Sequence, residues 1–315
     1  MLLRVLERAA ILVASLVVSS ILVFAFMAVL PGDPARTALG VQATEQAVAQ
    51  LHQEYGLDRP LPVQYISWVG GLARGDLGTS YISKALIAPQ VADRLQVTLW
   101  LVVTSMVLAL LVAVPAGVLM AVRHRRISGV VLSAVSQIGV AVPAFLAGIL
   151  LITLFAVRLG WLPANGWTAP SEDPGMFLRQ LTLPALSLGL VQAAVLTRYV
   201  RSAVLDVLHE DYLRTARAKG LTPYRALLRH GLRNAAVPVV TVLGLQLATL
   251  LIGAVVVERV FVVPGLGSLL LDAVSTRDLI VVQDVVMLLV VAVLLVNFVV
   301  DVLYVLIDPR LRRAS

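Results

Sequence analysis

The chain has 315 residues, of which 59% are hydrophobic and 14% are charged, and its mean hydropathy is +0.94. About a quarter of the residues in soluble domains are charged, so this composition excludes a soluble protein and indicates an integral membrane protein. The net charge is +7, but the basic residues lie in short segments between apolar runs, which argues against a nucleic-acid-binding face. The absence of cysteine excludes disulfide bonds and thiolate metal sites.

Apolar runs long enough to cross a bilayer, which takes about 20 residues, occur six times. They cover residues 9–30, 95–122, 128–157, 181–205, 235–257 and 282–306. The first run is longer than the apolar core of a secretory signal, about 7–15 residues, and is interpreted as an uncleaved helix. Pro115, Pro143 and Pro184 lie within or near the start of runs and predict kinks. We therefore expect an all-α integral membrane protein with six transmembrane helices.

Three regions follow from this pattern. Residues 1–30 hold the N-terminus and the first transmembrane helix, residues 31–94 form a loop, and residues 95–315 form a core of five transmembrane helices. The core includes a polar loop over residues 206–235.

The loop after the first helix is expected to be partly helical. Residues 44–57 have a helix-forming composition with Thr44 as the cap, and residues 61–72 carry Tyr and Trp at helical spacing. Residues 75–80, GDLGTS, predict a turn.

Orientation follows from the distribution of Lys and Arg, which favour cytoplasmic loops. A cytoplasmic N-terminus places 16 of the 25 basic residues inside. The charges of the long loop 31–94 say little about orientation, so the count for the short loops is 16 inside against 4 outside. Both termini and the loop 206–235 are predicted to be cytoplasmic, and the loop 31–94 to be external.

The polar stretch at residues 211–241 predicts a helical hairpin. A short helix over 211–219 would end at Gly220 with a positive φ, and Thr222 and Pro223 would cap and begin a second helix. Six basic residues surround this hairpin: Arg214, Arg217, Lys219, Arg225, Arg229 and Arg233. It suits the docking of a protein outside the membrane, and the alternative is that it binds anionic lipid head groups.

Catalytic motifs are missing from the sequence. GDLGTS lacks the lysine of a phosphate-binding loop, so the chain is not expected to hydrolyse ATP alone. The four histidines lie in different segments without metal-ligand spacing, which argues against a metal centre. No catalytic residue is assigned, and the chain is not expected to be an enzyme.

Polar residues within the apolar runs, or near their ends, are candidates for a solute path. They are Gln137, Gln192, Gln246, Glu258, Asp278, Asp284 and Asn297. For the Gln and Asn residues, a hydrogen bond that fastens two helices is the favoured alternative. Glu258 could pair with Arg259 or Arg277, face a docking protein or be solvated at the interface. Asp301 would need a partner across the bundle, and Arg198 is at a similar depth.

Motifs spread over nearly the whole chain carry a family resemblance. They are LPGDP at 30–34, YGLDRPLPVQY at 55–65, GDLGTSY at 75–81, the stretch from DYLRTARAKGL to RHGLRNAAVPVVT at 211–241, ERVFVVPGLG at 258–267 and DPR at 308–310. With them the chain resembles the permease subunits of the dipeptide, oligopeptide and nickel ABC importers. Among these it resembles the first of the two permeases, which has a large loop after helix one.

This resemblance implies a type I ABC importer permease fold in the cytoplasmic membrane of a prokaryote. The implied partners are a second homologous permease, two cytoplasmic ATPases and an extracytoplasmic solute-binding protein that delivers a peptide-like solute. Membrane lipids surround the chain, and no nucleic acid is implied. ATP and Mg would be bound by the ATPases, and this chain would bind no cofactor.

The family's coupling motif, EAA and then Gly after three intervening residues, falls on Arg214-Thr215-Ala216 and Gly220. The expected ATPase-coupling residues are Asp211, Arg214, Thr215, Ala216, Arg217, Ala218, Lys219 and Gly220. Arg214 occupies the glutamate position, so the ion pair expected of that glutamate is not assigned, and Glu210 or Asp211, a turn earlier, could replace it. Expected contacts for the binding protein are Asp76, Thr79, Trp161 and Trp167, whose segments could instead anchor the bundle at the membrane surface.

The expected function is that of a permease subunit in an ATP-driven, binding-protein-dependent peptide importer. It would form half of the translocation path and couple to the ATPases through residues 211–220. One alternative is a proton-coupled secondary transporter using Glu258, Asp284 or Asp301, which the scarcity of mid-span charge disfavours. A structural assembly factor is a further alternative. The sequence leaves the solute open among dipeptides, longer peptides, glutathione and nickel chelates.

Overall fold

A computed structural model describes residues 2–30, 32–124 and 126–307. Pro31 of the LPGDP motif and the DPR motif at 308–310 lie outside the described residues. Within the described ranges the regular structure is helical, apart from an isolated antiparallel bridge between Thr79 and Leu86.

The described residues form thirteen α-helical segments. They are α1 (Leu2–Val29), α2 (Pro34–Leu39), α3 (Glu45–Tyr55), α4 (Leu61–Ala73), α5 (Ile87–Val122), α6 (Ile127–Ala141), α7 (Ala144–Leu151), α8 (Pro174–Leu208), α9 (Asp211–Ala218), α10 (Pro223–Ala226), α11 (Leu232–Val260), α12 (Leu266–Thr276) and α13 (Leu279–Ile307). A π-helix over Ile152–Arg158 continues α7, and another over Leu227–Gly231 joins α10 to α11.

Five described helices are long and apolar enough to cross a membrane, and a bent pair supplies a sixth span if it is counted as one. The all-α membrane fold is thus confirmed. The pair is α6 with the stretch Ala144–Arg158, and it bends by 99°. Pro143 lies at the break and has no backbone N–H to continue a helix. The kink predicted there is confirmed, but the single helix expected over 128–157 was wrong.

Two spans begin earlier than their apolar runs. α5 starts at Ile87 and α8 at Pro174, because charged residues, Asp93 and Arg94 in α5 and Arg179 in α8, lie between the helix start and the apolar run. The start of α8 is fixed by Asp173, whose carboxylate accepts hydrogen bonds from the backbone N–H groups of Gly175 and Met176 at 2.9 Å each.

The segment between α1 and α5 is largely helical, as expected. Thr44 caps α3 by accepting a hydrogen bond from the Ala47 backbone N–H at 3.3 Å, and α4 begins at Leu61. The sequence analysis missed α2, which Asp33 caps, and it also missed α12 in the segment between α11 and α13.

The chain divides into two compact units. Of the described residues, unit 1 comprises those within 2–8, 99–263 and 296–307, and unit 2 those within 9–98 and 264–295. In unit 1, α5 and α8 approach closely at two glycines. A Cβ on Gly117 would lie 2.6 Å from the Cβ of Val200, and one on Gly189 would lie 2.9 Å from the Ser105 carbonyl oxygen. Only glycine permits these approaches, which bring the two helices together as small residues do in membrane proteins.

Candidate coupling and docking surfaces

The coupling segment, residues 211–231, has the predicted local structure. α9 ends before Gly220, whose φ is +93°. The backbone N–H of Leu221 then donates to the Ala216 carbonyl at 3.3 Å, which closes the end of the helix. Thr222 caps α10 by accepting a hydrogen bond from the Arg225 backbone N–H at 3.4 Å. The helix, hinge and helix expected from the sequence are confirmed.

One side of the coupling segment is anchored in the core of unit 1. Leu213 and Leu227 are almost completely buried, and Ala216 and Leu221 pack against the same cluster. The cluster combines residues of α5, α8, α11 and the coupling segment: Val118, Ala121, Val200, Ala203, Val204, Val207, Leu213, Ala226, Leu227, Ala235 and Val239. A movement of the ends of these helices would therefore be transmitted to the coupling segment, because close-packed interiors resist local compression.

The opposite side of the coupling segment is exposed and mostly basic. Its exposed basic residues are Arg214, Arg217, Lys219, Arg225 and Arg229, and Arg233 is exposed just beyond it at the start of α11. Tyr212, Tyr224 and Leu228 are also exposed, and the Asn234 side-chain amide donates to the Tyr212 hydroxyl at 2.9 Å. Arginine and tyrosine are enriched in protein interfaces. This composition suits a protein partner with acidic groups.

Arg214 pairs with Asp211 rather than with Glu210. Its Nη1 lies 3.5 Å from Asp211 Oδ1, and the two side chains are 71% and 93% exposed. An ion pair this long and this exposed contributes little to stability. Arg214 therefore stays accessible to another protein.

Two of the solute-path candidates in unit 1 contact each other. The buried Gln192 on α8 donates a side-chain hydrogen bond to Gln246 on α11. Gln137 is exposed on α6 and Asn297 is half-buried on α13, and neither makes a side-chain hydrogen bond within the described residues. This hydrogen bond joins α8 to α11, which is the contact that the helix-fastening interpretation requires.

Two acidic residues of unit 1 differ in their burial. Glu258 lies in the last turn of α11 and is fully buried, which excludes simple solvation at the interface. Asp301 accepts a hydrogen bond from Arg8 Nη1 at 3.1 Å. Arg198, the partner considered for Asp301, instead lies over the ring of Tyr199 at 5.7 Å.

The remaining candidates, Asp278 and Asp284, hold together the helices and turns of unit 2. The indole Nε1 of Trp68 donates to Asp284 Oδ1 at 2.7 Å, while the Ser80 hydroxyl and the Tyr81 backbone N–H donate to the carboxylate of Asp278. Both carboxylates are buried. The sequence analysis missed this role, because Trp68 and Ser80 are distant from the two carboxylates in the sequence.

A cavity of about 730 Å³ lies within unit 2. Its wall includes residues of α3 and α4, the turn after α4 and the start of α13, with Asp33, His52, Trp68, Tyr81 and Gln283 among them. Its lining is both polar and aromatic, so the sequence analysis, which treated its turns and helices separately, did not identify it.

Ionisable groups on the cavity wall have shifted pKa values. Burial, followed by the negative charges of Asp284 and Asp278, raises the pKa of Tyr81 to about 12. Burial also acts to raise the pKa of Asp33, but hydrogen bonds from His52 and from the backbone N–H groups of Ala35 and Arg36 outweigh it. The net result is a pKa of Asp33 below its ordinary value of 3.8. Both residues keep their usual charge at neutral pH.

The expected binding-protein contacts differ in accessibility. Asp76 and Thr79 are exposed in the turn after α4, where Asp76 accepts a hydrogen bond from the Gly78 backbone N–H at 2.9 Å. Trp161 is 62% exposed. Trp167 instead packs edge-to-face on Phe177 with ring centroids 5.3 Å apart, so it anchors its own loop.

Comparison with known proteins shows the family of this chain. The model of the binding-protein-dependent transport system inner membrane component matches residues 113–313, and the model of the N-terminal part of such membrane components matches residues 1–102. The chain belongs to this family. An inner-membrane component of this family is a multi-pass permease of an ABC importer, which works with ATPases and a binding protein and is not itself an enzyme.

Similar proteins agree with this assignment. The chain is 44% identical over 311 residues to the glutathione transport system permease protein GsiC of Escherichia coli O6:H1, covering 98% of each chain. The GsiC protein of Salmonella choleraesuis shows the same identity and coverage. A structure of the MetNI methionine ABC transporter in an inward-facing conformation shares the fold with a TM-score of 0.57, at 21% identity over 69% of this chain and 96% of the other. These findings support an importer permease over a proton-coupled secondary transporter.

Proposed function

We propose that this permease serves an importer of small peptides, with glutathione as the first solute to test. The proposal is supported by the 44% identity, over 98% of both chains, to permeases of glutathione transport systems. The family resemblance noted from the sequence motifs agrees with a peptide-like solute.

The proposed assembly contains this chain, a second homologous permease, two cytoplasmic ATPases and an extracytoplasmic solute-binding protein. ATP and Mg are bound by the ATPases. Both termini and the coupling segment face the cytoplasm, and the segment 31–94 faces outward, which is supported by the excess of Lys and Arg on the assigned inner side. Asp76, Thr79 and Trp161 are the accessible contacts proposed for the binding protein.

The coupling segment transmits the movement of the ATPases to the bundle. The observation that supports this role is the contrast between its two sides: Leu213 is 1% exposed in the core of unit 1, while Arg214 and Lys219 face outward. A helix with one side packed in the bundle and the other available to a partner moves with both. In this role Arg214, Arg217 and Lys219 pair with carboxylates on the ATPase, and Ala218 and Gly220 permit a close approach.

Reversing the charges of Arg214 and Lys219 to glutamate tests this proposal. The double variant should insert into the membrane and keep ATP hydrolysis in the assembled importer, while uptake of labelled glutathione into proteoliposomes should fall to a small fraction of wild type. The matched control reverses Arg123 and Arg126, two exposed basic residues of another loop assigned to the cytoplasm. Wild-type uptake by the Arg214→Glu/Lys219→Glu variant would refute the coupling role.

A further inference from the structure

The cavity of unit 2 carries charges of both signs on its wall. Arg59, Arg74 and Lys84 supply positive charge, and Glu54 and Asp76 supply negative charge. None of these five side chains forms an ion pair with another residue in the described part of the chain. The ammonium of Lys84 is hydrogen-bonded to the Tyr55 hydroxyl and lies 4.4 Å from the centroid of the Tyr55 ring. Because no opposite charge neutralises any of the five side chains, they can still attract a charged molecule.

The wall behind these charges is fixed by buried hydrogen bonds. Trp68 lines the cavity and is held by Asp284, and Tyr81 lines it and is held through its backbone by Asp278. Tyr81 also stacks on Tyr55, with ring centroids 4.3 Å apart. Preformed walls of this kind reduce the entropy lost when a small molecule binds.

The turn that carries Arg59 is also fixed. The side-chain amide of Gln64 donates to the carbonyl of Leu57 at 3.1 Å and to that of Arg59 at 2.8 Å. The backbone that presents the guanidinium is thus tied to α4, which carries Trp68. The hydrogen bonds of Gln64 therefore hold Arg59 and Trp68 on the same rigid part of the cavity wall.

We propose that this cavity binds a small zwitterionic peptide. Carboxylates of the peptide pair with Arg59, Arg74 and Lys84, its ammonium group pairs with Glu54 or Asp76, and its apolar parts contact the aromatic wall. The volume of about 730 Å³ lies within the range of small-molecule sites. This inference rests on the proposed function and gives the permease its own solute-binding site, in addition to that of the solute-binding protein.

Equilibrium binding tests the site directly. The assembled importer is placed in lipid nanodiscs without its solute-binding protein and titrated with labelled glutathione and, separately, with labelled trialanine. We expect saturable binding of at least one of the two, weakened by acetylation of the peptide's amine and by amidation of its carboxylates. Removing two charge-assisted contacts with Arg59→Gln/Arg74→Gln should weaken binding by about tenfold or more.

A second variant tests the site by filling the cavity with a larger side chain. Ser67 is exposed on α4 and lines the cavity, so Ser67→Trp should fill it and abolish binding without removing a charge. Arg277→Gln is the control, because Arg277 is an exposed arginine of unit 2 that does not line the cavity. It should bind like wild type. Assembly of every variant is confirmed by copurification of the ATPases.

The result that overturns the inference is a wild-type importer that binds neither probe, or one whose binding is unchanged in both Arg59→Gln/Arg74→Gln and Ser67→Trp. A separate measurement of glutathione uptake, with the solute-binding protein present, tests the proposed importer function independently of the cavity site. Glutathione uptake without binding to the permease would refute the cavity site and leave the proposed function standing. Binding without uptake of either peptide would retain the site and refute the importer function.

Discussion

The indole nitrogen of Trp68 and a carboxylate oxygen of Asp284 lie 2.7 Å apart, although 216 positions separate the two residues in the sequence. This hydrogen bond joins α4 to the first turns of α13 within unit 2. Asp284 is 1% exposed, and its second carboxylate oxygen has no hydrogen-bond partner within the described residues. The bond to Trp68 is therefore the main polar contact that the structure gives this side chain.

Asp284→Ala should lower the stability of the permease by about 1–3 kcal/mol, because the partly buried indole N–H of Trp68 loses its acceptor. Asp284→Asn should be milder, since the amide carbonyl still accepts this hydrogen bond. The apparent melting temperature of the purified importer measures the effect. Asp58→Ala, at an exposed aspartate in the turn before α4, is the control and should leave the melting temperature unchanged. Equal melting temperatures for Asp284→Ala and wild type would contradict the structural role.

Leu213→Ala should destabilise the anchor of the coupling segment by about 2–5 kcal/mol, because a nearly fully buried leucine is removed from a packed cluster. Glutathione uptake should fall with it. Leu228→Ala removes the same atoms from a side chain that is 47% exposed and should change stability by less than about 0.5 kcal/mol. Thermal unfolding and uptake, measured side by side, check both variants. The anchor is wrongly assigned if both substitutions have the same effect on stability.

A double-mutant cycle of Gln192→Leu and Gln246→Leu distinguishes a helix fastener from a solute contact. If the two side chains only join α8 to α11, the cycle should give a coupling energy of about 0.6 kcal/mol in stability. The concentration of solute at half-maximal uptake should stay unchanged. A shift of that concentration in the Gln246→Leu variant alone, at unchanged stability, would instead place Gln246 in the solute path.

The raised pKa of Tyr81 predicts that the folded protein loses stability at alkaline pH. Its pKa is raised to about 12 by burial and by the charges of Asp284 and Asp278, against an ordinary value of 10.0. The folded protein therefore keeps this phenol neutral while the unfolded chain ionises it, so stability is unaffected below pH 10 and is lost as pH rises from 10 to 12.

Melting temperatures across this range should fall less steeply in Tyr81→Phe than in wild type. Tyrosinate absorbance of the folded protein should show a late-titrating tyrosine that Tyr81→Phe lacks. Asp284→Asn should lower the pKa of that tyrosine, since it removes the larger of the two charge contributions. A wild-type protein in which all tyrosines titrate near pH 10 would refute the assignment.

Local chemistry made much of the fold predictable from the sequence. The apolar length of each span, the hydroxyl caps at Thr44 and Thr222, and Gly220 at a helix end are all properties of short stretches. The kink predicted at Pro143 likewise needed only the missing N–H of proline. Its 99° angle was not predictable, because the packing of neighbouring helices sets the direction of a bend.

Long-range contacts were beyond sequence reasoning. Asp278 and Asp284 were candidates for a solute path because acidic residues near a membrane span suggest function. Their partners, Ser80 and Trp68, are known only once the fold brings the segments together. The cavity of unit 2 was missed for the same reason, since its charges come from separate turns and helices. By contrast, the exposed side of the coupling segment follows from the pattern of one short helix.

The sharp bend between α6 and α7 constrains what surrounds this part of the chain. α6 has 15 residues and spans about 22 Å at 1.5 Å per residue, which is less than the hydrocarbon thickness of a bilayer, about 30 Å. As one span, the bent pair would place the irregular backbone at Val142 and Pro143 at membrane depth. Lipid tails offer no hydrogen bonds to such a backbone, so protein or water must cover it. The bend therefore marks a stretch of this permease that lipid alone cannot solvate.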